Sequence, residues 1–249
     1  MPALHELADA RCLPDHQVMD RATLEWIAAH RPPVASGPAA ALPPGTTALV
    51  PAEDWFAEAA LADTLHGVRH NARVSVLAAV LATRHHLDAG HTLALTVAAA
   101  VHDCRRHNDR TDAGHGERAA RWLHRQHHVV TALFGLPDLT APLLDAATTA
   151  IALHDLPAHA APPHRRCADP RARQAADLLA AADALDRYRL PALRWWPDPA
   201  LVRTPLPEAL HALAFRLVLD SEHARLDGAT HHEALRHALD LARPTREQQ

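Results

Sequence analysis

Residues 91–104 read HTLALTVAAAVHDC, a run that is apolar almost all round until it meets His102 and Asp103. Such a run reads as a helix buried on most sides. An imidazole and a carboxylate at the end of a buried helix cost several kcal/mol unless they are paired or coordinate a cation. The plainer alternative is a capping pair turned to solvent in the loop that follows. A second pair, His154-Asp155, sits in a similar place at the edge of another helix. In a chain of 249 residues with 22 His, dipeptides of this kind arise by chance, so the setting is informative and the dipeptide is not.

Outward from this stretch the helical period persists. On the N-terminal side, AEDWFAEAALADTL (52–65) opens with acidic residues, as a helix N-terminus prefers. It leads into HGVRHNARVSVLAAVLATRHHL (66–87), where Val74, Leu77, Val80, Leu81 and Arg84 fall on successive turns. Asp88-Ala89-Gly90 reads as the stop. His66 and His70, four apart, share one helical face, followed there by Arg73-Val74. Two surface histidines would give the same spacing. Further back, residues 17–30 read as a helix through Val18, Leu24 and Ile27, and 31–51 as a Pro-, Ala- and Gly-rich linker.

On the C-terminal side, RRHNDRTDAGHGE (105–117) is polar. Periodicity then resumes through Ala120, Leu123 and Val130. Thr140 with Pro142 opens a helix running to about His154. Residues 155–170 are a second Pro-rich loop, and 171–187 (RARQAADLLAAADALDR) is strongly helical, with Leu178, Leu179, Ala182 and Leu185 on one face. Two more amphipathic helices span roughly 206–226 and 230–243. There is no internal repeat and no strand-like alternation, so the expected fold is all-α. The expected organisation is an N-terminal helix and linker (1–50) packing on a core (51–190), with C-terminal helices (191–249) completing the same domain.

Composition bounds the partners. The chain is 48% hydrophobic, 22% charged and 4% aromatic, enough for a sizeable core. Twenty Pro against eight Gly fit helices broken by Pro-rich loops. No run of 18 apolar residues and no leader pattern is present, so a membrane span and secretion are not expected. Three Cys, at 12, 104 and 167, form no CxxC pair, which fits a reducing cytoplasm. A net charge of −4 with no basic run disfavours nucleic acid as a polymer. Every cationic residue is Arg and Ala is abundant; both look like GC-rich coding bias rather than design.

The ordered set His70 in HNARV, His102-Asp103 in AAAVHDCRR, and Asp183 in AADALD resembles the HD-domain superfamily of metal-dependent phosphohydrolases. The match runs from about residue 60 to 190. The resemblance implies an HD-type helical bundle and four ligands for a first divalent ion: His70, His102, Asp103 and Asp183. Such N/O ligands suit Mn, Fe, Ni, Co, Zn or Mg. It further implies a second ion held by His115 and His154 with Asp103 bridging; His115 could otherwise simply cap its helix. The implied reaction is cleavage of a phosphate ester or anhydride of a nucleotide-like or small phosphorylated substrate by metal-activated water, with Asp103, His66 and Arg106 in the catalytic set. Phosphate oxygens would be met by Arg105, Arg106, Arg187 and Arg189, whose planar forks suit that task; each could equally pair with a neighbouring Asp.

His66 would act as an outer group or a general acid, and Asp109 and Asp112 would orient His or water. Cys104 reads as packing behind the site, and Trp195-Trp196 as a core anchor or a pocket wall. Two other functions fit the residues: a diiron oxygenase on the same scaffold, resembling myo-inositol oxygenase, and a non-catalytic metal-binding protein. Neither substrate identity nor oligomeric state is legible.

Overall fold

The computed structural model describes residues 1–156, 170–198 and 202–243, and among these it is all-α, without strands. Most of the loop read at 155–170, including Cys167, lies outside the described residues. At the centre, α4 (Ala89–Val101), the fourth helix of the chain, packs against α3 (Val68–Arg84), α6 (Ala141–Leu153) and α7 (Pro170–Asp186). Next to α6 lies α5 (His115–Leu133). The pair α8 (Glu208–Leu226) and α9 (His231–Ala242) closes over α3, and α2 (Arg21–Ala29), joined to α1 (Leu4–Asp9), packs on α8. No helix among the described residues is long and apolar enough to cross a membrane.

The buried character of α4 follows its sequence. Ala94, Leu95 and Val97 to Val101 have no exposed surface. Burying each Leu or Val stabilises the fold by about 1.5–3 kcal/mol, and the alanines between them let three neighbours approach closely. One hydrophobic cluster runs from Leu4 through this centre to Leu239.

Four local readings are corrected. The helix read over 17–30 is shorter: Val18 lies outside α2, exposed, with its backbone bridging Thr64. Residues 52–65 form no α-helix but two 3-10 turns, Glu53–Trp55 and Ala59–Asp63. Their backbone is used elsewhere: the Ala57 N–H donates to the Cys104 carbonyl (2.9 Å), and the Leu65 N–H to that of Gln17 (2.8 Å). Asp88 starts a helix rather than stopping one. Its side chain accepts from the His91 N–H at the N-terminus of α4, and α3 has already ended at Arg84. His66 lies outside α3, because Gly67 caps that helix and leaves His66 in the preceding turn. A Cβ on Gly67 would collide with the Leu61 and Ala62 carbonyls, so only glycine permits the turn. The short α1 was not anticipated; six residues are too few to display a period.

Candidate metal centre

Both His-Asp dipeptides fall just beyond the ends of buried helices, and each uses the helix end in the same way. The last carbonyls of a helix lack intrahelical partners. His102, following α4, donates its Nδ1–H to the Ala99 carbonyl (2.8 Å), and His154, following α6, donates to that of Ile151 (2.6 Å). At the start of α5, His115 donates to the Asp112 carbonyl (2.8 Å). In the first turn of α3, His70 instead donates to the Asp186 carboxylate (2.8 Å). All four acceptors are oxygens that cannot donate, so each Nδ1 holds a proton and each Nε2 is left to face the centre.

Those nitrogens converge. His70 Nε2 and His102 Nε2 are 3.1 Å apart, and so are His115 Nε2 and His154 Nε2. Around the first pair stand Asp103 Oδ2, 3.5 Å from His70 Nε2, and Asp183 Oδ1, 3.4 Å from His70 Nε2 and 3.7 Å from His102 Nε2. Facing the second pair is the other oxygen of the same residue: Asp103 Oδ1 lies 3.0 Å from His115 Nε2 and 3.5 Å from His154 Nε2. Asp103 therefore belongs to two donor groups at once, His70-His102-Asp103 and Asp103-His115-His154.

The donor set fits metal ions. Ligands about 2.1 Å from one ion in tetrahedral or octahedral arrangement stand ~3.0–3.4 Å from each other, close to the observed spacing. Two imidazole nitrogens 3.1 Å apart need something positive between them, a proton or a metal ion. Asp103 Oδ1 is buried and makes no hydrogen bond among the described residues, an arrangement that is costly without a cation. The field has the matching sign. Burial opposes charge on His154, yet Asp103, Asp155 and Asp183 raise its pKa to about 9. Burial would raise the Asp103 carboxyl, but Arg106, His102 and His115 hold it well below the usual range. The chain thus contains buried His/Asp groups that could hold a metal ion.

Compared with protein-family models, curated proteins and solved structures, the chain has no match in any of the three.

Outer contacts fix the donors. Arg73, wholly buried in α3, pairs with both oxygens of Asp186 (2.7 and 3.0 Å) and reaches Glu222 of α8 (2.7 Å). Arg69 joins the same network through Glu222 and Asp63. A chain Glu222–Arg73–Asp186–His70 therefore ties one ligand to three helices. Asn71 accepts from the Asp103 N–H (3.1 Å) and donates to the His66 and Gly67 carbonyls. Close approach of α5 to α6 requires Gly116, where a Cβ would sit 2.6 Å from the Ile151 carbonyl oxygen and 3.1 Å from His154 Nδ1.

The remaining sequence candidates divide. A cavity of about 170 Å³ opens on the centre, lined by His66, Asp103, Arg106, His115, His154, Asp183, Arg187 and Arg189 among others. Arg106 is held by the Asn108 and Arg110 carbonyls, leaving Nη1 near His115 Nε2 (3.3 Å). Arg189 donates to the Leu65 carbonyl (2.6 Å) and approaches His70 Nε2 (3.4 Å). Arg105 does not belong to the site: its guanidinium donates to the Trp55 carbonyl (2.9 Å) and lies over Trp122. Consecutive residues at a helix end point apart, so Arg105 and Arg106 cannot both face the cavity.

His66 donates to Asp109 (2.8 Å), which also accepts from Thr64 and the Gln17 N–H. Burial, with Arg106 and Arg189 nearby, lowers the His66 pKa to about 4, so it is neutral at pH 7. Asp112 positions His115 through its carbonyl. Cys104 is fully buried, and burial pushes its thiol up, so it packs as a small apolar group. The tryptophans split: Trp196 is buried against Trp26, Tyr188 and Phe215, whereas half-buried Trp195 lines an outer cavity.

Sequence reasoning missed Asn71, Arg69 and Glu222 and gave Asp186 only a pairing role. Asp186 did carry a signal, standing three residues after Asp183, as Arg73 stands three after His70. Glu222 carried none, since its partners are remote in the chain.

Proposed function

We propose that this chain is an HD-type metal-dependent phosphohydrolase acting on a small phosphorylated substrate. The observation that supports this reading best is the pair of buried donor groups sharing Asp103, beside a cavity lined with arginines. His70, His102, Asp103 and Asp183 would hold one ion, and Asp103, His115 and His154 a second. Divalent ions there supply a water of lowered pKa as nucleophile and neutralise charge on a phosphoryl group.

The chain's own residues do the rest. Arg106, Arg187 and Arg189 offer guanidinium donors to the oxygens that gain charge as phosphorus is attacked. Arg106 and Arg189 are already anchored by backbone carbonyls, so they need little reorganisation. Neutral His66, oriented by Asp109, presents Nε2 to the cavity as a proton acceptor that can afterwards return the proton to a leaving oxygen.

The test is hydrolysis of simple phosphoesters and anhydrides by protein loaded in turn with Mn, Fe, Co, Ni, Zn and Mg. Asp103→Asn is expected to abolish turnover and lower metal content in both groups. Undiminished hydrolysis by that variant would overturn the reading. The same nitrogen-rich donors also suit iron. Iron-loaded protein that consumes oxygen with a substrate, and hydrolyses nothing, would favour the oxygenase instead.

A further inference from the structure

The metal centre explains one wall of a larger space. Against the 170 Å³ cavity lies a second of about 460 Å³, and the two share His66, Arg106, Arg187 and Leu190 as lining. Its volume is that of a small-molecule site. Its lining is rich in cations: Arg11, Arg106, Arg110, Arg187 and Arg194 line it with the single carboxylate of Asp109, while Arg110 and Arg194 also lie 3.6 and 3.9 Å from the exposed carboxylates of Asp15 and Asp9. The Asp109 carboxylate is occupied by His66, Thr64 and the Gln17 N–H.

Arg11 stands apart. It follows α1 in a left-handed conformation, φ 57°. Its N–H bonds to the Ala8 carbonyl and the Cys12 N–H to the Leu7 carbonyl, the Schellman pattern that ends many helices. The left-handed position of that motif favours glycine, and a side chain there is strained. Here the strained position carries a long cation at a residue that lines the cavity. Arg194 is fixed nearby, donating to the Ala8 carbonyl (3.1 Å) with its guanidinium over Trp195 (4.6 Å).

We infer that the outer cavity is a second anion site, built from Arg11, Arg110, Arg187 and Arg194, which takes a further phosphate of an oligophosphorylated small molecule. Its service to a substrate whose near phosphate meets the metal centre rests on the phosphohydrolase reading; the anion site itself does not. The segment after α1, which carries no motif, thereby gains a role in choosing the substrate.

Calorimetric binding of inorganic tripolyphosphate and orthophosphate to the full chain tests this. Wild type is expected to bind tripolyphosphate roughly ten-fold more tightly than orthophosphate. Arg11→Gly should remove most of that preference, leave orthophosphate binding unchanged, and keep or raise the melting temperature, because it relieves the backbone. Arg110→Gln should weaken tripolyphosphate in the same direction. Unchanged tripolyphosphate affinity in both variants overturns the inference, even if monophosphate esters are hydrolysed. Loss of tripolyphosphate binding in Arg11→Gly, with no hydrolysis by wild type, sustains the anion site while the phosphohydrolase reading falls.

Discussion

Gly116→Ala isolates the second donor group from the first. The new Cβ would stand 2.6 Å from the Ile151 carbonyl oxygen and 2.9 Å from Asp155 Oδ1, where ordinary contact begins at 3.4 Å. Backbone oxygen at the end of α6 cannot rotate aside, so the start of α5 must withdraw by about 0.8 Å, the shortfall from that contact distance. His115 is the residue before Gly116 and moves with it, widening its 3.1 Å approach to His154. Metal–ligand distances tolerate about 0.2 Å. The second ion should therefore bind at least ~10–100-fold more weakly, while His70, His102 and Asp183 keep the first.

Stability falls moderately. Alanine in a helix gains about 1 kcal/mol over glycine, and overpacking costs about 1–3 kcal/mol. The net loss is up to about 2 kcal/mol, with each kcal/mol lowering the melting temperature by about 2–4 °C in a chain of this size. Metal titration by calorimetry, with elemental analysis after dialysis, reads the outcome: two tight ions per wild-type chain, one per variant. Two ions of wild-type affinity in a folded Gly116→Ala protein would refute the account of how α5 and α6 assemble this site.

Other outcomes follow from the outer contacts. Asp186→Asn leaves Arg73 with a weaker partner and His70 without its carboxylate. It should cost about 3–5 kcal/mol in urea unfolding and weaken the first ion by ~10–100-fold. Burial would raise Asp186, but Arg73 and His70 hold it at about 2 in the folded protein. A depressed carboxylate stabilises the fold above its ordinary pKa of 3.8, and that contribution fades as pH falls from there toward 2. Acid unfolding of the metal-free wild type should steepen in this window, and Asp186→Asn should flatten that part of the curve. His66→Ala should lower kcat by about 10²–10⁴-fold with metal content unchanged; equal loss of metal would instead make His66 a ligand.

The legibility of this protein was uneven for definite reasons. The burial of α4 was legible in the sequence, because an unbroken apolar run of that length suits an interior helix, whereas its polar end left a buried pair and a solvent-facing cap both open. The segment 52–65 misled, since acidic residues before an apolar stretch suit a helix, but its N–H groups were claimed by Cys104 and by Gln17. His66 and His70 have helical spacing, and a close packing of Gly67 on two carbonyls put one of them outside the helix. Arg105 and Arg106 are alike as letters; only the direction of the chain after α4 sends one to Trp122 and the other to the cavity.

By itself the sequence determined the residue types and the helical periods, which depend on local spacing, and it marked His102-Asp103 through the cost of burying polar groups; the grouping of His70, His115, His154 and Asp183 with that pair came only from a resemblance of order. Tertiary structure alone decided that both oxygens of Asp103 face separate histidine pairs, that a network through Glu222 and Arg73 aims His70, and that an arginine after α1 joins a cavity beside the centre. Those relations depend on distances between segments far apart in the chain, which no local preference encodes and which packing of α3 to α8 sets.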